Sequence, residues 1–154
     1  MATVDVSFSP LPAHVRTARL IALAVARRVG VAEDMLDEVR LAVGEACSRA
    51  VGVHAELATD APISMRLSDD DQCFAVEVVD VGPLDDDPLE ARFDTVDGTV
   101  DPSAWDDEAA DSVPAGFGLV VIGGIVDELV VTSDAAGTHV KMAWPVPPDP
   151  TGQT

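Results

Sequence analysis

The chain has 154 residues, 47% of them hydrophobic, with two Trp and no Tyr. That length fits one domain with a real core, and no apolar run reaches the roughly 20 residues needed to span a bilayer. The formal net charge of −19 repels phosphate backbones, which argues against nucleic acid as a direct partner and favours a basic protein partner or simple solubility.

The opening residues Met1-Ala2-Thr3-Val4-Asp5 lack the basic segment and apolar stretch of a signal peptide, so a cytoplasmic protein is expected. Cys47 and Cys73 make no disulfide framework and read as buried small hydrophobes. His14, His54 and His139 are scattered and form no metal-ligand cluster.

Val4, Val6 and Phe8 alternate with polar residues, which predicts a short first strand ended by Pro10 and Pro12. A helix is predicted over 13–29, where Val15, Ala18, Ala22, Val25 and Val29 recur at spacings of three and four before Gly30. A second helix is expected from residue 32 or 33 to 53, with Glu33 and Asp34 favouring its N-terminus. Its apolar stripe is Leu36, Val39, Val43, Ala46 and Ala50, and Glu38, Glu45 and Arg49 fall off it. Glu45 and Arg49 are neighbours on the helix surface, and alone they read as an exposed ion pair worth roughly 0.2–0.5 kcal/mol.

Ile63, Met65 and Leu67 predict a strand, Asp69-Asp70-Asp71 a turn, and Phe74, Val76 and Val78 a second strand that delivers Asp80 at its end. Residues 83–115 hold eleven acidic residues against the single Arg92, carry four prolines and lack periodicity, which predicts a long mobile loop. Residues 116–126 read as a helix opened by glycines, Leu129-Val130-Val131 as a strand, Asp134-Ala135-Ala136-Gly137 as a turn and 138–144 as the last strand. The proline-rich tail 145–154 is expected to be disordered. This order predicts an α+β fold, a two-layer sandwich whose mostly antiparallel sheet carries helices on one face.

Three features along this order can carry chemistry. A strand ending in Asp80-Val81-Gly82 offers a carboxylate at a sheet edge and a glycine that lets a ligand approach the backbone. Such a carboxylate suits an exocyclic amine, as on adenine. Gly116-Phe117-Gly118-Leu119 opens a helix and offers free amide N–H groups to phosphates. Glu45 lies upstream on the second helix.

With Glu45-x-x-x-Arg49, Asp80-x-Gly82, Gly116-x-Gly118-Leu119-x-x-Ile122 and Gly137-Thr138-x-Val140-x-Met142 in this order, the chain resembles the small anti-sigma factor serine kinases of bacteria, which have the GHKL (Bergerat) ATPase fold. The resemblance spans about residues 3–144 and implies a domain over 1–144, with 83–115 as an acidic lid. It implies that Asp80 reads the adenine amine, with Gly82 beside it and Thr138 supporting it. Gly116, Gly118 and Leu119 would then flank the phosphates, and Glu45 would be the catalytic base. It also implies a sigma factor and a STAS-type anti-anti-sigma factor as partners, and a homodimer.

The chain departs from that pattern where the metal would sit. Arg49 stands at the position of the magnesium-ligating Asn, Leu84 at that of a second glycine, and His54 one place beyond the usual His. An Arg about 5 Å from a divalent ion costs on the order of 6 kcal/mol at an effective dielectric of about 20. Magnesium is therefore doubtful and kinase chemistry disfavoured. Arg49 could instead grip a phosphate bidentately. Three readings follow: a non-catalytic anti-sigma factor, an active ATP-dependent serine kinase of its antagonist, and a sensor of a magnesium-independent nucleotide or nucleotide sugar.

Overall fold

The computed structural model describes residues 2–70, 72–83, 126 and 128–148. The expected acidic loop beyond residue 83, the helix expected over 116–126 save Val126, and the end of the tail lie outside them. Among the described residues, five strands form one antiparallel sheet and two helices pack on it. The expected α+β two-layer sandwich is borne out.

Strand β1 is Ala2–Phe8, helix α1 Pro12–Val29 and helix α2 Leu36–Glu56. They are followed by β2 Ile63–Asp70, β3 Cys73–Asp80, β4 Glu128–Asp134 and β5 Gly137–Pro145. The sheet order is β1-β2-β3-β5-β4. The last strand therefore inserts beside β3, and Asp80 lies directly opposite Thr138.

Local chemistry explains the helix ends. Pro12 sits in the first turn of α1, where its missing N–H is no loss. Gly30 closes α1 in the left-handed region at φ 95°, and its N–H reaches back to the last carbonyls. Arg27 and Arg28 favour that negative end, as Asp37 and Glu38 favour the start of α2. The expected second helix begins instead as one 3-10 turn, Glu33–Met35, and runs past residue 53 to Glu56.

Period-two alternation decides the faces of the sheet. Ile63, Met65, Leu67, Phe74, Val76, Val78, Val140, Met142 and Trp144 point one way and are buried against Val39, Val43, Ala46 and Ala50 of α2. Ala18, Ala22 and Ala26 let α1 lie close to α2. Phe74 and Trp144 are cross-strand partners whose rings stack at 5.9 Å. β5 runs through Pro145, and Val146 continues the ordered chain beyond the expected boundary at 144. Its N–H donates to the Gln72 carbonyl at 2.8 Å and its side chain packs on the core. No described helix is long and apolar enough to cross a membrane.

The opposite face of the sheet is polar. Asp5, Arg66, Glu77 and Lys141 stand in direct register across four strands with alternating charge. One of these contacts, Arg66 Nε to Asp5 Oδ1 at 2.7 Å, lies in solvent and contributes little. His139 is more enclosed. Its Nδ1 is 3.4 Å from Glu77 Oε1 on β3 and its Nε2 is 3.0 Å from Asp134 Oδ2 on β4. The Nε2 contact is the closer of the two.

Asp134 is the main influence that raises the His139 pKa; desolvation opposes it, and Glu77 adds a smaller rise. A raised folded-state pKa means that the stabilisation is fully present below the unfolded value of about 6.5 and is lost as pH rises through the folded value. Thermal unfolding of the wild type between pH of about 6 and about 8 should show Tm falling as pH rises, and His139→Gln should flatten that slope. An unchanged slope in the variant would remove His139 as its source.

Candidate functional site

The last residue of β3 is the centre of the site. Asp80 is 1% exposed, and its carboxylate receives donors on both oxygens. Arg49 Nη1 donates to Oδ2 at 2.7 Å and the Gly82 N–H donates to Oδ1 at 2.8 Å. The second bond closes a side-chain turn in which aspartate reads the backbone two residues on. Arg49 is 8% exposed, so this is a buried, charge-assisted pair joining the middle of α2 to the exit of β3.

The sequence places Arg49 off the apolar stripe of α2 and beside Glu45. The structure turns it inward to Asp80, so it is not an exposed partner of Glu45. The physical reason lies in helix geometry: Ala42, Ala46, Arg49 and Val53 follow at spacings of four, three and four and share one side of α2. The small alanines leave room for the guanidinium stem to run along the helix toward the sheet.

Glu45 stays half-buried. Burial raises its pKa and the positive charge of Arg19 on α1 opposes that rise. Arg19 crosses α2 at Gly44, where an added Cβ would come within 2.8 Å of the Arg19 Cδ. Gly44 therefore leaves Arg19 a path to the neighbourhood of Glu45.

Two further side chains hold the Asp80-Val81-Gly82 exit. The Thr138 hydroxyl donates to the Gly82 carbonyl at 2.9 Å, so Thr138 meets the turn through its backbone. His54, fully buried, accepts the Val81 N–H at Nε2, 3.1 Å away, and its Nδ1 lies 2.9 Å from the Ala61 carbonyl. A backbone amide only donates, which leaves Nε2 as the acceptor and assigns the ring proton to Nδ1. In the sequence His54 stands out as one of three scattered histidines and as a displaced motif residue. Its position four beyond Ala50 and three beyond Val51 was the available signal that it faces inward.

The two glycines of this region are demanded by close approach. A Cβ on Gly82 would lie 2.3 Å from Val53 Cγ1 on α2. Gly137 has φ +132°, and a Cβ there would lie 1.8 Å from the Asp80 carbonyl oxygen. Asp80, Gly82, Thr138 and Arg49 thus come together in one cluster, whereas Gly116, Gly118 and Leu119 lie outside the described residues.

With the fold and this cluster in place, the comparison with known families is informative. The histidine kinase-like ATPase domain family matches residues 8–144. The chain belongs to that family, whose fold implies ATP binding. A search of the curated proteins finds no match.

Removing one member of a buried ion pair strands the other. Arg49→Ala should destabilise the domain by about 3–5 kcal/mol. Adding Asp80→Asn to that variant should recover part of the loss, because no buried charge then remains. Urea unfolding of the single and double variants measures both effects. A double variant less stable than Arg49→Ala alone would contradict the ion pair's role.

Proposed function

We propose that this chain is an anti-sigma factor that binds and sequesters a bacterial sigma factor, is released from it by a STAS-type anti-anti-sigma factor, and does so without phosphorylating either. Membership of the histidine kinase-like ATPase domain family supports the setting. The observation that carries the non-catalytic part is the Arg49–Asp80 pair. Phosphate transfer of this kind needs magnesium to neutralise the phosphates. The residues at hand fit magnesium poorly, since a fixed cation stands at the motif position of the metal-ligating Asn. They also fit an adenine amine poorly, since the Asp80 carboxylate is 1% exposed, with Arg49 against its Oδ2 and the Gly82 N–H on its Oδ1.

The domain remains suited to holding a protein. Its described strands and helices form one packed scaffold, and its net charge of −19 complements a basic partner, steering encounter and favouring selectivity. Residues 1–144 form the binding domain in this reading. The protein acts in the bacterial cytoplasm, where its partners are, and as a homodimer.

One observation favours the kinase reading instead. Glu45 is half-buried with a raised pKa, and a carboxylate tuned upward is the better general base near neutral pH. Two assays separate these readings. Affinity capture with the purified chain should recover a sigma factor and a STAS-domain protein. Incubation of that STAS protein with Mg-ATP should give no phosphate transfer by the wild type. Transfer by the wild type would establish the kinase, and failure to capture either partner would defeat the anti-sigma reading.

A further inference from the structure

We propose that Arg49 is an internal competitor for the ligand of this pocket: its guanidinium occupies the donor place at Asp80, so a nucleotide binds only by displacing it. The inference rests on the reading of the Asp80 cluster as a nucleotide pocket and adds how that pocket is regulated. A carboxylate buried to 1% exposure needs donors on its oxygens. Here both are supplied by the chain, from the Gly82 N–H at 2.8 Å and from Arg49 at 2.7 Å.

The contest between Arg49 and an incoming base is unequal. Both donors would make a charge-assisted bond to the ionised carboxylate, but an exocyclic amine is neutral, whereas the guanidinium adds the attraction of a full opposite charge at a buried site. A ligand that supplies only the amine also leaves the displaced guanidinium without its carboxylate. A ligand that carries a phosphate as well recovers only part of that loss, because the released guanidinium is a bidentate phosphate donor. The exchange therefore selects nucleotides over nucleosides. The apparent affinity is lowered by the small fraction of molecules in which Arg49 has left Asp80.

The Gly82 N–H contact fixes where the exchange happens. It holds Oδ1 within the turn, and His54 and Thr138 hold the rest of that turn. Only the Oδ2 contact to Arg49 is made by a side chain on a long, unbranched stem. Arg49 is thus the member of the cluster that can withdraw while the turn stays assembled.

Titration calorimetry with ADP in the absence of magnesium tests this on the wild type and on Arg49→Asn. The variant should bind at least about tenfold more tightly than the wild type, and adenosine should bind the wild type more weakly than ADP. Equal ADP affinities, or no binding by either protein, would overturn the proposal. Arg49→Lys keeps the buried charge but lacks the planar fork, and it serves if Arg49→Asn does not fold. It too must bind ADP more tightly than the wild type, and a variant that does not gain affinity counts against the competitor. Partner capture is scored separately: a gain in ADP affinity without capture defeats the anti-sigma reading alone, and equal affinities with capture intact defeat the competitor alone.

Discussion

The structure depends on one constraint, that a carboxylate buried at the end of a central strand must be neutralised where it stands. Asp80 lies between α2 and β5 with almost no contact with water. Desolvating an isolated carboxylate is prohibitive, and a geometrically good cation beside it makes the burial tolerable. Arg49 is that cation. The middle of α2 is consequently tied to the exit of β3, and the glycines and the hydroxyl around Asp80 are fitted to a turn held in one place. A buried pair of this kind is not a strong source of net stability. What it fixes is position: α2 cannot rotate on the sheet without stranding a charge.

This constraint also separates what the family fold implies from what this chain's residues offer. A histidine kinase-like ATPase domain implies a nucleotide pocket. Asp80, Gly82 and Thr138, the residues expected to read adenine, are near one another here. Their bonds, however, are directed at one another and at Arg49. Glu45 retains a half-buried carboxyl with a raised pKa, and the charge acting on it comes from Arg19 of the other helix rather than from Arg49. The charged groups of the motif are thus partnered within the chain, Arg49 with Asp80 and Glu45 beside Arg19.

Much of this was legible in the sequence, for reasons that differ by element. The strands were readable because a half-buried sheet imposes strict alternation, and Ile63, Met65 and Leu67 or Phe74, Val76 and Val78 leave no other face to bury. Both helices were readable from their stripes, α1 nearly to its ends, but α2 begins and ends a few residues later than expected, since the turn at Glu33–Met35 is 3-10 and has the same acidic composition as a helix start. Arg49 was misread because a charged residue was weighed by its type and not by its angle on the helix. Its true partner is 31 residues away, and no local pattern encodes a pairing at that range. His54 was missed for the same reason, as its partners Val81 and Ala61 are both backbone groups whose position only the assembled fold determines. That Asp80, Gly82 and Thr138 meet follows from β5 inserting next to β3, which the order of elements along the chain does not dictate.

The end of α2 matches the exit of β3 residue for residue. Arg49 takes Asp80, His54 takes Val81, and Val53 lies against Gly82. Three successive residues of the turn are thus gripped by three side chains within two turns of one helix. Mechanically, helix and turn form a single lever, with the close packing of the core as its fulcrum. A protein that leans on the exposed side of α2 would move the Asp80 turn by the same displacement, and anything that moves the turn would be felt along the helix.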